Sequence, residues 1–274
     1  MLSLIAFPFG LIIGSFLNVV IHRVPRGESV VTPRSHCPHC NHPIAWYENV
    51  PLLSYLALRG RCRECRAPIS PRYLLVELLT GLMFAGLAAV FAFEPPFFKY
   101  ALFASMIIAL MFIDLHERLL PDVITFPGMA AGLVLALFVP VEDGGARFLL
   151  AVAGLRGAPG PLVSLSEALL GGAVGAGVLW LVAELYFRLR RREGLGFGDV
   201  KLMALVGIFL GMKSALLTIF LGSLAGSVIG GSYMLVHRKG TQYELPFGTF
   251  LGMMALFAMV WGREIVDWYL ALSR

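Results

Sequence analysis

The sequence predicts an all-α polytopic membrane protein with about eight transmembrane helices and one small cytoplasmic domain. Hydrophobic residues make up 58% of the 274 residues, and the mean hydropathy is +0.80, values typical of polytopic membrane proteins. Apolar runs near the ~20 residues needed to cross a bilayer recur along the chain. The one long polar insertion, 23–72, carries four cysteines in two close pairs.

Eight apolar segments are predicted to be helices, and the sixth is short enough to be a half-helix or an interfacial helix. Glycines spaced by four, as in Gly171/Gly175 and Gly222/Gly226/Gly230, predict close helix packing. The first cation is Arg23, so the first segment is expected to be a retained spanning helix rather than a signal peptide. The segments are 1–21, 73–93, 100–120, 122–140, 163–187, 200–212, 215–236 and 246–262.

Charge predicts the orientation. The net charge is +5, and lysines and arginines cluster between the apolar runs. With 23–72 in the cytoplasm and eight alternating spans, sixteen cations lie on the cytoplasmic side and six outside, so both chain ends are expected outside. Membrane topology and attraction to anionic lipid headgroups account for the excess of basic residues. No nucleic-acid partner is predicted.

The cysteine quartet predicts a small zinc-binding domain. Cys37-Pro-His-Cys40 and Cys62-Arg-Glu-Cys65 are separated by 21 residues, and four thiolates satisfy tetrahedral zinc with no open position. Because a segment of ~50 residues buries little core, a structural metal would supply its folding energy. The reducing cytoplasm disfavours a disulfide. A redox CxxC pair and metal-free packed cysteines are the alternatives. His36, His39 and His42 are predicted to be solvated loop residues.

Asp114 lies late in the third apolar run. Pro121 is predicted to end that helix near Leu120. Six residues of helix correspond to ~9 Å, which places Asp114 inside the membrane near its cytoplasmic edge. The simpler alternative is a structural salt bridge with Arg118, which has i,i+4 spacing.

Asp199 follows three glycines at alternate positions, Gly194, Gly196 and Gly198, and opens another apolar run. Helix capping is the simpler interpretation of this aspartate, but the predicted topology brings it to the same side and depth as Asp114. Two carboxylates that share a proton can activate water against a peptide carbonyl. We expect Asp199, at a helix N-terminus, to be ionised and Asp114, within an apolar helix, to carry the proton.

Other acidic residues have simpler interpretations. Glu77, one turn into the second span, is a candidate for binding substrate or cofactor, but an interfacial carboxylate that reaches water is an equal alternative. Glu184 and Arg188 have the spacing of an i,i+4 pair, and Asp122 is expected to cap the next helix. No Ser-His-Asp order or HExxH motif is present, and the glycine-rich stretch lacks the Lys-Ser/Thr of a phosphate loop.

Taken together, the motifs resemble the bifunctional bacterial prepilin peptidases, which are leader peptidase/N-methyltransferases of type IV pili and type II secretion. The resemblance covers nearly the whole chain. One modest departure is Asn41, where a glycine commonly follows the first CxxC, and asparagine tolerates the same left-handed turn. The ordered motifs are Gly14-Ser-Phe-Leu-Asn-Val-Val-Ile-His-Arg-Val-Pro25, Cys37-Pro-His-Cys40, Trp46-Tyr-Glu-Asn-Val-Pro51, Arg61-Cys-Arg-Glu-Cys65, Arg72-Tyr-Leu-Leu-Val-Glu77, Ile113-Asp114, Leu120-Pro-Asp122, Gly196-Phe-Gly-Asp199-Val-Lys201 and Pro246-Phe-Gly248.

The resemblance implies a GxGD-type aspartic protease with Asp114 and Asp199 as the catalytic pair. Such an enzyme cuts a short basic leader from type IV prepilins or type II pseudopilins at the cytoplasmic face of the bacterial inner membrane. It also implies N-methylation of the new N-terminal residue, usually phenylalanine, with S-adenosylmethionine as methyl donor. The complete cysteine-bearing loop supports this second activity, because shorter peptidase-only relatives lack it.

Three alternatives stay open at this point. The chain could be a peptidase-only GxGD protease, related to the archaeal preflagellin peptidases. Intramembrane acids also mark proton paths, so a proton-coupled transporter is a second possibility. A zinc-stabilised membrane scaffold is a third. For the enzyme, we expect a first transmembrane helix over 1–22, a cytoplasmic zinc-binding domain over 23–72 and a transmembrane peptidase domain over 73–274.

Overall fold

A computed structural model describes residues 1–141, 143–152, 154, 157–191, 195–236 and 245–272. The regular elements among these residues are helices, and none of them is a strand. This confirms the all-α prediction. The α-helices are α1 (Leu2–Arg23), α2 (Leu53–Ala57), α3 (Pro71–Phe91), α4 (Pro95–Glu117), α5 (Asp122–Ala136), α6 (Gly145–Val152), α7 (Gly160–Arg190), α8 (Phe197–Leu210), α9 (Met212–Ala225), α10 (Gly231–Val236) and α11 (Phe247–Leu272).

Every predicted apolar segment contains a helix, but the helices differ in length. Within the described ranges, six stretches are long and apolar enough to cross a membrane. They are Leu2–Arg26, Pro71–Phe91, Pro95–Glu117, Gly160–Arg190, Met212–Met234 and Phe247–Leu272. The stretch Met212–Met234 is continuous because a π-helical turn, Gly226–Gly230, joins α9 to α10.

Helices α5 and α8 are shorter, at 15 and 14 residues. They measure ~22 Å and ~21 Å, against a hydrocarbon core of about 30 Å. The short α8 was expected, whereas α5 was predicted to run to residue 140. Pro140 disfavours helical backbone at the residue before it, and the Ser164 hydroxyl caps the early end by donating to the Ala136 carbonyl at 2.6 Å.

The chain forms two compact units, Met1–Ala109 and Leu110–Arg274. In the first unit, α1 packs along α3, and the Asn18 amide donates to the Tyr73 carbonyl at 3.0 Å. At the end of α1, the buried Arg23 guanidinium donates to the carbonyls of Ser29 and Pro33, both at 2.8 Å, and so closes the first loop of the polar segment. The expected functional division at residues 22 and 72 stays a prediction.

In the second unit, α8 is buried against α7 through paired glycines. A Cβ atom added to Gly207 would lie 2.0 Å from the Gly171 carbonyl oxygen, so the two backbones approach more closely than any side chain allows. The predicted packing role of Gly171 is confirmed. The close contact continues one turn along α8, where a Cβ atom added to Gly175 would lie 2.5 Å from the Met203 carbonyl oxygen.

Candidate active site and metal centre

The four cysteines converge in the first unit. One sulfur from each of Cys37, Cys40, Cys62 and Cys65 lies within 4.8 Å of all the others. The Cys37–Cys65 and Cys40–Cys62 sulfur pairs are 3.8 and 4.0 Å apart. Four sulfurs at ~2.3 Å from a tetrahedral zinc ion lie about 3.8 Å from one another, so the cluster fits zinc.

Two equivalent turns build the cluster. The Cys37 amide donates to the His42 carbonyl at 2.9 Å, and the Cys62 amide donates to the Ala67 carbonyl at 2.8 Å. In each turn the residue after the second cysteine has a left-handed backbone, with φ of 57° at Asn41 and 61° at Arg66. The expectation that Asn41 takes the left-handed turn is confirmed.

Two thiols of the cluster differ in their tendency to ionise. Burial opposes ionisation of the Cys37 thiol, but hydrogen bonds from the amides of His39 and Cys40 outweigh it and lower the pKa of Cys37 to about 7. The hydrogen bond from the His42 amide lowers the pKa of Cys40, but burial and the other three cysteines outweigh it and raise the pKa to about 12. His36 and His39 are exposed and lie outside the cluster, as the sequence predicts for loop residues.

Glu77 is buried on α3 and holds a turn of the polar segment. Its Oε2 accepts the Leu52 amide at 2.9 Å. Leu52 has φ of 58°, a conformation that is costly for a bulky residue. The carboxylate therefore has a structural partner within the first unit, and the cofactor role of Glu77 stays a prediction.

Asp114 lies in the last turn of α4 and is held by the start of α11. Its Oδ2 accepts the Thr249 amide at 2.6 Å and the Thr249 hydroxyl at 2.9 Å. The helix ends at Glu117, three residues earlier than expected, because Arg118 takes a left-handed backbone with φ of 53°. Asp114 is therefore nearer the helix end than the sequence suggested, yet it is only 6% exposed.

Asp199 lies in the first turn of α8 and faces the same point as Asp114. A Cβ atom on Gly248 would lie 3.1 Å from Asp114 Oδ2 and 3.1 Å from Asp199 Oδ1. The two carboxylate oxygens are therefore no more than twice that distance apart. Asp199 is 8% exposed, so two buried carboxyl groups converge where α11 has no side chain.

The chain between α4 and α5 contacts both sides of Asp199. Gly198 lies against Leu120: a Cβ atom on Gly198 would meet Leu120 Cβ at 3.1 Å. Asp122 forms an ion pair with Lys201. Leu120 thus fills the space at Gly198. The Asp122 carboxylate was expected to cap α5, but it pairs with Lys201 on α8 instead. Gly194 lies outside the described residues.

Sequence reasoning missed the role of Thr249. The Pro246-Phe-Gly248 motif indicated this part of the chain but not the residue after it. A threonine at the start of an apolar helix carries no periodic signal. The pairing of Glu184 with Arg188 is confirmed, with the guanidinium donating to the carboxylate at 2.7 Å.

Two family profiles match the chain. The bacterial peptidase A24 N-terminal domain matches residues 9–91, and the type IV leader peptidase family matches residues 101–231. The second match contains Asp114 and Asp199. The chain belongs to the type IV leader peptidase family.

Individual relatives agree with this assignment. A protein of Aeromonas hydrophila named prepilin leader peptidase/N-methyltransferase is 38% identical, and the similarity covers 97% of this chain and 93% of the relative. Proteins with the same name from Stutzerimonas stutzeri and Pseudomonas aeruginosa are 35% and 34% identical, over 99% and 96% of this chain and 94% and 92% of theirs. No solved structure matches the chain.

The Glu77 contact generates a prediction about the polar segment. Glu77→Ala leaves the Leu52 amide without its acceptor, so limited trypsin digestion should cut after Arg59 or Arg61 several-fold faster than in the unmodified protein. Glu77→Gln retains an acceptor oxygen and should be cut at nearly the original rate. Equal digestion rates for Glu77→Ala and the unmodified protein would contradict the anchoring role.

Proposed function

We propose that this chain cleaves the leader peptide of type IV prepilins or type II secretion pseudopilins and then N-methylates the new N-terminus. The observation that carries the proposal is the convergence of Asp114 and Asp199 beside Gly248, within the region that matches the type IV leader peptidase family. Two buried carboxyl groups around one point supply the acid and the base that peptide hydrolysis by water requires.

The hydrogen bonds at Asp114 support a division of roles. Two donors from Thr249 meet one oxygen, and such donors stabilise a carboxylate. We therefore propose Asp114 as the base and Asp199 as the proton-bearing partner, the reverse of the expectation from sequence. Asp114 takes a proton from water as the hydroxide adds to the scissile carbonyl carbon. Asp199 gives its proton to the carbonyl oxygen, which yields a diol. The proton on Asp114 then passes to the amine nitrogen as the C–N bond breaks, and Asp199 takes back a proton from one diol hydroxyl as the new carboxyl group forms.

The methyl-transfer half rests on the names of the relatives and on the complete cysteine cluster. S-adenosylmethionine is the proposed methyl donor, and the new α-amino group is the acceptor. The cysteine cluster is the proposed site of a structural zinc ion, because four sulfur ligands leave no position open for a reacting group. No residue of this chain is assigned to the methyl donor.

The setting is proposed to be the bacterial inner membrane. Six stretches among the described residues have the length and hydropathy of membrane spans, which makes the chain polytopic. The cation distribution favours a cytoplasmic position for both aspartates. A prepilin with a long apolar helix would lie in the bilayer beside the enzyme, and its scissile bond would reach the aspartates near the headgroups. Because cleavage requires an extended backbone, the substrate helix must unwind locally around that bond.

The aspartate pair is tested by co-expressing the chain with a prepilin and measuring the mass of the mature N-terminus. Asp114→Asn and Asp199→Asn should each lower cleavage by at least ~10²-fold, because each removes a proton-transferring group. With the unmodified chain, the pilin product should be shortened and also about 14 mass units heavier than the same shortened pilin without methylation, because a methyl group in place of a hydrogen adds one CH₂.

The same measurement separates the alternatives. Glu184→Gln alters a partly exposed acid that pairs with Arg188 on α7, and it should leave cleavage unchanged. A shortened product without the added methyl group would indicate a peptidase-only enzyme. Uncut prepilin in the presence of the unmodified chain would reject the proposed protease, and substantial cleavage by either Asn variant would reject the pair.

The Thr249 hydroxyl generates a separate prediction. Thr249→Val keeps the side-chain shape and the backbone amide but loses one of the two donors to Asp114, so kcat should fall several-fold with little change in KM. Thr249→Ser keeps the hydroxyl and should retain most of the activity. If both variants cleave at the same rate, the hydroxyl has no part in holding Asp114.

Metal analysis tests the cysteine cluster. The purified chain should contain one zinc ion, and Cys62→Ser should lose most of it, because one of four ligands is gone. His39→Ala, which alters an exposed histidine of the same segment, should retain the full content. Elemental analysis by mass spectrometry measures both, and a metal-free purified chain or equal zinc loss in the two variants would reject the site.

A further inference from the structure

The short linker between α4 and α5 ties Asp114 to Asp199. Only residues 118–121 separate the helix that carries Asp114 from α5. The linker turns sharply at Arg118, whose amide donates to the Asp114 carbonyl at 2.9 Å. A displacement of the linker therefore begins within one helical turn of Asp114.

The linker and the start of α5 hold the first turn of α8 at two points. Leu120, itself buried, lies against the backbone of Gly198, the residue before Asp199. Two residues after Asp199, the Lys201 ammonium pairs with the Asp122 carboxylate. We call these two contacts, Leu120–Gly198 and Asp122–Lys201, the linker clasp.

Lys201 is fixed by more than its ion pair. Its ammonium lies 5.7 Å from the centre of the Phe126 ring and 5.6 Å from the centre of the Phe197 ring. Cations within about 6 Å of an aromatic face are attracted to it. The Lys201 side chain is only 16% exposed, so it has little freedom, whereas the Asp122 side chain is 59% exposed.

We propose that Asp122 and Lys201 are positioning residues that hold Asp199 against Asp114 through the linker clasp. Because the two contacts lie on either side of Asp199 in the chain, loss of one lets the first turn of α8 rotate or slide, and the carboxylate moves with it. A displacement of ~1 Å at a catalytic group can cost about 10²-fold in rate. The proposal rests on the protease function proposed above.

Four variants test the ion pair in the cleavage assay. Lys201→Met keeps an apolar stem between the two rings but removes the charge, and Asp122→Asn keeps the side-chain shape. Each should lower kcat about ten-fold with KM nearly unchanged, since the substrate is bound but the aspartates are misaligned. Lys201→Arg and Asp122→Glu keep the two opposite charges, and arginine is also attracted to aromatic faces, so both variants should retain at least about half of the activity.

The double variant shows whether the two residues act as a pair. Lys201→Met combined with Asp122→Asn should be no slower than either single variant, because the second change removes an interaction already lost. A matched control is Arg188→Met, which breaks the exposed Glu184–Arg188 pair on α7 and should leave kcat within two-fold of the original. Multiplicative losses in the double variant would overturn the pairing.

Ionic strength offers a further readout. At 1 M salt the screening length is about 3 Å, and the exposed Asp122 side makes the pair accessible to counterions. The kcat of the unmodified enzyme should fall with salt toward that of Lys201→Met, whereas Lys201→Met itself should respond little. Identical salt responses in the two proteins would count against the clasp.

A measurement without substrate separates this proposal from the protease function. In a chain carrying Asp114→Cys and Asp199→Cys, mild oxidation should form a disulfide between positions 114 and 199. Peptide mass spectrometry identifies this bond and distinguishes it from any bond among the four native cysteines. Adding Lys201→Met should slow its formation several-fold, and adding Arg188→Met should not. An unchanged rate with Lys201→Met overturns the clasp, while an unmodified chain that leaves prepilin uncut overturns the protease function alone.

Discussion

Two carboxylates inside an apolar helical unit are tolerated only if donors reach them and if the backbone around them leaves room. The start of α11 meets both requirements. Thr249 supplies an amide and a hydroxyl to Asp114, and Gly248, one residue earlier, contributes no side chain where the two carboxylates meet. The last turn of α4 and the first turn of α8 meet at this start of α11. The geometry of the aspartate pair therefore depends on three segments far apart in sequence.

Local patterns made much of this architecture predictable. Hydropathy located the helices, because each must bury or shield its backbone in an apolar phase. The spacing of Cys37, Cys40, Cys62 and Cys65 predicted a cluster, because two CxxC turns can present four sulfurs to one point. Asp114 and Asp199 were predicted to meet because the charge-based topology placed both on the same side of the membrane at similar depth. The family resemblance then made that pairing specific.

The sequence alone did not predict the specific contacts between distant segments. The Asp114–Thr249 hydrogen bonds join residues 135 positions apart, and no periodicity relates them. The early end of α4 depends on a left-handed Arg118, a conformation that arginine rarely takes without tertiary support. Asp122 was expected to cap α5 because local chemistry favours capping. The nearby Lys201 ammonium is a stronger partner, and it becomes visible only once α8 is in place.

The close fit of Leu120 on Gly198 has a consequence for the length of the linker. Loops between helices usually accept inserted residues, because water solvates whatever is added. Here four linker residues span the gap between two helix ends while one of their side chains rests on the backbone next to Asp199. An added residue would move Leu120 off that backbone or push α5 away from α8. This turn between two helices therefore tolerates a change of length as poorly as a buried element does.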